Sequence, residues 1–247
     1  MSAPPETLPP RLRDAVRAET TKILPVTWLA LSGTLAANTL FAVLATVDGL
    51  RFGIGDDVAP LSAFAVVMFA PVHVFLLLPL HAVGSEFREG QLRTTLAAVP
   101  WRGRLALAKF LATGAVVVPA AVAVLLPGRT VLALAQDAGA GAVLADTGRW
   151  VLAYAMVSAV ALGLAALMRG TAAPLTVLVG VSVFAGGGFL QWPEGVRLLP
   201  DQAAMSLLGT PAFEVTELAP GVAAVVLVVW AAVSCAVYAG CVVRRDA

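Results

Sequence analysis

Residues 61–104 read LSAFAVVMFAPVHVFLLLPLHAVGSEFREGQLRTTLAAVPWRGR. The first part, Leu61 to Gly84, holds no Asp, Glu, Lys or Arg, whereas Ser85 to Arg104 is dense in charge. A helix spans a bilayer with about 20 apolar residues, so the first part reads as a span and the change in polarity as its exit. The same alternation recurs outward from this junction. Apolar stretches lie at about 23–47, 61–84, 105–126, 150–168, 172–192 and 221–243. They predict an all-α fold, a polytopic membrane bundle of six transmembrane helices, in which helices satisfy every backbone polar group in lipid. Composition agrees. The chain has 247 residues, of which 60% are hydrophobic and 13% charged, with a mean hydropathy of +0.90. A soluble domain is about 45–50% apolar and about 25% charged. These values exclude a soluble enzyme, a nucleic-acid binder, a disordered chain and a secreted disulfide scaffold.

The run from Ile23 to Val47 is too long for a signal-peptide core and follows a charged leader, residues 1–22, so it reads as a retained span. The leader sets Leu12, Ala15, Val16 and Ile23 against Arg11, Arg13 and Arg17, a pattern that suits a helix lying in the membrane interface. Residues 23–243 then form the transmembrane domain and 244–247 a tail. The net charge of +1 hides an asymmetry. Twelve of the sixteen basic residues fall in the leader, the 85–109 segment, the Arg169 turn and the Arg244–Arg245 tail. Positive residues favour the cytoplasmic side, so both termini are expected there. The outer loops carry Asp48, Asp56, Asp57, Asp137, Asp146, Glu194, Asp201, Glu214 and Glu217. They read as a solvated face or as an attractor of cations.

The 85–101 segment carries the most local information. Ser85 with Glu86 and Glu89 resembles a helix start, with acids near the positive end of the dipole. Leu92, Leu96 and Val99 share a face, and Pro100 ends the element. Arg102, Arg104 and Lys109 are expected to anchor the next span at the headgroups. Two readings stay open: a surface helix resting on lipid, or a docking helix whose Phe87, off the leucine face, enters a partner's groove.

Other polar residues are few. His73 and His81, both in span two, are two helical turns apart, about 12 Å, too far to share one metal ion directly; no metal site is expected. Intramembrane ionisable groups are candidates for a pathway, which makes His73 one, with Asn38 in span one as a second or as an interhelical hydrogen-bonding group. Pro71, Pro79, Pro119 and Gly186–Gly187–Gly188 interrupt spans, either for packing or to line a path. Cys235 and Cys241 read as buried thiols. Trp28, Trp101, Trp150 and Trp192 fall at expected interfaces. No serine sits in a nucleophile elbow, so no catalytic set is expected. The halves show no repeat, against an inverted-repeat transporter.

The string Glu86-Phe87-Arg88-Glu89-Gly90-Gln91-Leu92-Arg93-Thr94-Thr95-Leu96, followed by Val99-Pro100, Arg102 and Lys109, resembles the region joining spans two and three in permease subunits of the type-2 ABC transporter family. Gln91 stands where Thr is commoner. Arg17-Ala18-Glu19-Thr20-Thr21-Lys22 is similar to the Glu-x-x-Lys before that family's first span, and Leu199-Pro200-Asp201-Gln202-Ala203 to its final outer loop. The richness in alanine and valine points to a bacterial genome and hence a bacterial cytoplasmic membrane. The resemblance implies a non-catalytic half-transporter. It implies a cytoplasmic coupling helix at 85–101 using Glu86, Phe87, Arg88, Glu89, Gly90 and Arg93, and a leader marked by Arg17, Glu19 and Lys22. It further implies an assembly with two copies of an ATP-binding subunit and a second permease copy, homodimeric or heterodimeric. The chain has no phosphate loop of its own, so ATP and Mg are expected in the partner subunit. The alternatives are a stand-alone membrane transporter and a membrane assembly or immunity protein without an ATPase partner.

Overall fold

A computed structural model describes residues 12–48, 50–54, 57–87 and 101–244. It is built almost entirely of helices. Helix α1 (Leu12–Thr46) leads into a small antiparallel ribbon, β1 (Arg51–Ile54) and β2 (Asp57–Pro60), with Arg51 opposite Pro60. Three short helices follow, α2 (Ala65–Phe69), α3 (Val72–Phe75) and α4 (Leu77–Gly84), then a 3₁₀ turn at Ser85–Phe87. Helices α5 (Arg102–Ala135), α6 (Ala140–Met168) and α7 (Ala172–Gly186) come next. Short α8 (Pro193–Val196) and α9 (Pro200–Leu207) precede α10 (Pro220–Arg244).

Five segments are long and apolar enough to cross a membrane: Val26–Thr46, Val66–Phe87, Arg102–Ala135, Ala140–Met168 and Pro220–Val243. The chain is therefore a multi-pass membrane protein. Large apolar residues such as Trp28, Leu29, Val225 and Val229 stay exposed on the outer surfaces of these helices, where lipid replaces water as the solvent.

The structure departs from the expected spans in four places. The polar loop after span one holds the β1–β2 ribbon. The expected fifth span, 172–192, is α7, of 15 residues; at 1.5 Å per residue it covers about 22 Å, less than the hydrocarbon thickness of about 30 Å. It stops at the glycine triplet, where Gly188 adopts φ +74°, a conformation that a Cβ disfavours. The expected outer loop at 127–149 is largely helical: α5 continues to Ala135 and α6 begins at Ala140, with Arg129 Nε of α5 paired to Asp146 Oδ2 of α6 at 2.5 Å. Finally, leader and first span form a single helix, with no break between Leu12 and Thr46.

The second crossing segment is broken for a definable reason. Proline has no N–H, so Pro71 cannot bond the Val67 carbonyl and Pro79 cannot bond that of Phe75. The chain responds at the first break with the tighter Ala70 N–H to Val67 O bond, 3.2 Å, and the second break falls at Leu76.

Packing is close where residues are small. A Cβ on Gly163 of α6 would lie 2.6 Å from the Ser234 carbonyl of α10, and one on Gly84 would lie 2.6 Å from the Gly170 backbone. Gly128 of α5 approaches the Asn38 carbonyl of α1 in the same way. Such approaches let helices associate in lipid, where no hydrophobic force drives them together. The core centre is aromatic: Tyr154, fully buried, contacts Phe69, Phe75 and Trp150. Trp150 is thus a core residue, covered by Arg129 at 4.6 Å from its ring centroid, and not the interface residue expected. Trp28, Trp101 and Trp192 are exposed.

These contacts give the bundle two distinct ends. At one end sit the first turns of α1, the end of α4, the start of α5, the α6–α7 turn at Gly170 and the end of α10, where Arg102 Nη1 donates to Val243 O at 3.2 Å. Most of the described basic residues lie here. The opposite end holds the Arg129–Asp146 pair and Gly186, which packs on Val66.

Candidate functional site

Four charged side chains converge at the basic end. Glu19 and Lys22 lie three residues apart, so α1 presents both on one face. Glu86 is fixed by the 3₁₀ turn that ends α4, and Lys109 lies two turns into α5. Lys109 Nζ is 2.7 Å from Glu19 Oε2 and 2.8 Å from Glu86 Oε1, and donates to Ala82 O at 2.8 Å. An ammonium has three donors, and all three are used. Lys22 Nζ closes the ring, 2.6 Å from Glu19 Oε1 and 3.4 Å from Glu86 Oε1.

The cluster is buried and electroneutral. The side chains of Lys109, Glu19 and Glu86 are 1%, 4% and 7% exposed, whereas Lys22 is half open to solvent. Burial alone would raise the Glu19 pKa, but Lys109 and Lys22 beside it outweigh that and hold it below the ordinary value. Burial likewise opposes the charge on Lys22, and Glu19 with Glu86 outweighs it, so the Lys22 pKa is raised. Two carboxylates and two ammoniums thus sustain one another's charge where an isolated ion would be too costly. On α10, the Tyr238 hydroxyl is buried near both carboxylates and makes no hydrogen bond among the described residues. With the donors of Lys109 saturated and the charges balanced among the described residues, the cluster clamps leader, second segment and third segment together.

The expected site residues separate accordingly. Glu19, Lys22 and Glu86 meet. Glu86, expected on a docking surface, is buried within the bundle. Phe87, expected as a knob for a partner, packs instead against the chain's own core. Arg17 is exposed, and its carbonyl accepts from Thr21 Oγ1 at 2.9 Å. Arg88, Glu89, Gly90 and Arg93 lie outside the described residues. Asn38 and His73 are remote from the clamp. Asn38 Nδ2 lies 3.4 Å from the Tyr154 hydroxyl, and His73 Nε2 lies 3.1 Å from Ser182 Oγ. Cys235 and Cys241 are free thiols and only half-buried.

Lys109 is the residue that sequence reasoning misplaced. It was expected at the headgroups, yet it is the most deeply buried cation of the cluster. Its flanks, Leu105 to Ala108 and Phe110 to Leu111, are apolar, and that was the available signal: a lone lysine inside such a run needs a counter-ion. Comparison with protein-family models finds no match to this chain, and comparison with curated proteins finds none either.

Proposed function

We propose that this chain is the membrane-spanning permease subunit of an ATP-driven exporter, working with a separate ATP-binding subunit through the 85–101 segment. The observation that carries the reading is the Glu19–Lys22–Glu86–Lys109 clamp. A force applied to the segment leaving Phe87 is delivered through Glu86 to α1 and α5 at once, as coupling to an external motor requires. The closed network of the clamp, with all three Lys109 donors used, fits transmission better than catalysis. In this reading there are six crossings. Although α7 is short, it follows the turn at Gly170, beside Gly84, and ends at Gly186, beside Val66, and so lies alongside most of the second segment. An even number of crossings places both termini on the basic, cytoplasmic side of a bacterial membrane. Two such chains and two ATPases would form the unit, with ATP and Mg bound by the ATPases.

The test is co-expression with the product of a neighbouring reading frame that carries a phosphate loop. The expected result is co-purification and stimulated ATP hydrolysis, both lost in the Glu89→Lys/Arg93→Glu double variant. Full stimulation in that variant would sink the docking role. Glu86 is unsuitable for reversal, because its burial makes any loss ambiguous. A second reading, a transporter without an ATPase, is favoured by one observation only: an acid, Asp201, is buried within the bundle. Uptake into vesicles holding this chain alone, without ATP, would select it.

A further inference from the structure

The sequence places Asp201 among solvated outer-loop acids, and the structure contradicts this. Asp201 lies in the first turn of α9, an eight-residue helix whose every residue is buried, and is itself 6% exposed. Its Oδ2 accepts from Gln202 Nε2 at 3.1 Å, but among the described residues its Oδ1 has no hydrogen-bond partner, nor has Gln202 Oε1. It does not serve as the cap of α9, and no ion pair reaches it among the described residues.

Asp201 lines a cavity of about 290 Å³ between α2, α3, α7 and α9, with its unpartnered Oδ1 set just behind the cavity wall. Val66, Phe69 and Met205 supply its apolar wall, and His73, Ser182 and Asp201 its polar one. His73 Nδ1 lies 3.1 Å from Ala70 O, a carbonyl that only accepts, so the ring proton belongs on Nδ1. Nε2 then accepts from the Ser182 hydroxyl at 3.1 Å, which leaves the Ser182 oxygen with lone pairs but no free proton. The polar wall therefore presents acceptors, one of them a carboxylate, and, among the described residues, no donor. A carboxylate buried in the bundle with no ion pair among the described residues is costly to keep charged and is a candidate functional group.

We propose that this cavity binds a primary ammonium group carried on a small apolar body, that is, a lipophilic monoamine. The three N–H donors of an ammonium match the acceptors of Asp201 and Ser182, its charge neutralises the carboxylate, and the apolar wall takes the hydrocarbon. The assignment does not depend on whether an ATPase drives the chain.

The test is calorimetric titration of the full chain in lipid nanodiscs with 2-phenylethylammonium, alongside the uncharged 2-phenylethanol. Saturable binding of the amine is expected, with the alcohol at least about tenfold weaker, since a charge-assisted bond is lost. Asp201→Asn, nearly isosteric, should lower amine affinity by a similar factor. Equal binding of amine and alcohol, or no amine binding, overturns the proposal, as does a folded Asp201→Asn chain that keeps its affinity within about twofold. If Asp201→Asn does not fold, the amine–alcohol comparison on the unaltered protein decides alone.

Discussion

Replacing Lys109 by Met tests the clamp most directly. The substitution keeps the length and apolar stem of the side chain but removes the charge shared by Glu19 Oε2 and Glu86 Oε1, at 2.7 and 2.8 Å. It also removes the donor to Ala82 O. All three charged side chains are more than nine-tenths buried, and removing one partner of a buried pair costs about 3–5 kcal/mol, because the remaining charge is stranded. Lys22→Met is the internal control. It removes the same charge from the same ring, but the Lys22 side chain is 44% exposed, so solvent screening limits the loss to about 1 kcal/mol or less. The triple variant Lys109→Met/Glu19→Gln/Glu86→Gln leaves no fully buried charge, only the half-exposed Lys22, and should recover most of the loss. The assay is equilibrium unfolding in mixed detergent micelles, with helical content as the readout. If Lys109→Met costs no more than Lys22→Met, or if the triple variant falls by the sum of its parts, the cluster does not hold the segments as argued.

The pH dependence follows from the same ring. The Glu19 pKa is lowered on folding from its ordinary 4.5, so its stabilisation is complete above that value and lost as pH falls toward the folded pKa; Glu19→Gln should flatten this acid limb in thermal melts. The Lys22 pKa is raised from 10.5, so its part is present below that value and lost as pH rises through the folded pKa. Gly163→Val would push a side chain into Ser234 of α10, and a loss of about 1–3 kcal/mol is expected from overpacking; unchanged stability would deny the α6–α10 contact. In a chain with Cys235 and Cys241 changed to Ser, cysteines at Thr21 and Trp101 should react with an impermeant maleimide from one membrane face and a cysteine at Gln136 from the other. Labelling of all three from one face would contradict the two-ended bundle.

Much of this architecture is legible in the sequence because a bilayer demands uniform apolarity over a fixed length. That demand places α1, α5, α6 and α10. It fails for α7, because hydropathy runs on through Gly187 to Leu190 while the backbone leaves the helix at the glycines. It fails again at 127–149, where Arg129, Asp137 and Asp146 suggest a loop but two antiparallel helices simply extend past the expected boundary. Of the clamp, Glu19 and Lys22 are visible as a local motif with helical spacing. Their tie to Lys109 spans about ninety residues, and no periodicity encodes a contact between distant segments. Asp201 is missed for the opposite reason. A proline and an acid in a short polar stretch read as solvated, and only the insertion of α9 between α7 and α10 removes it from water.

The unbroken run of α1 has a mechanical consequence. Glu19, held by the clamp, and Thr46, at the far end, are separated by about 40 Å of continuous helix at 1.5 Å per residue. Such a rod acts as a lever with its fulcrum at the ring of charges. A tilt of about 5° there displaces the distant end by about 3.5 Å over that length, roughly the width of a methylene chain. Small rotations at the base are thereby geared up into larger displacements at the opposite end of the bundle, without any residue of α1 having to leave its helix.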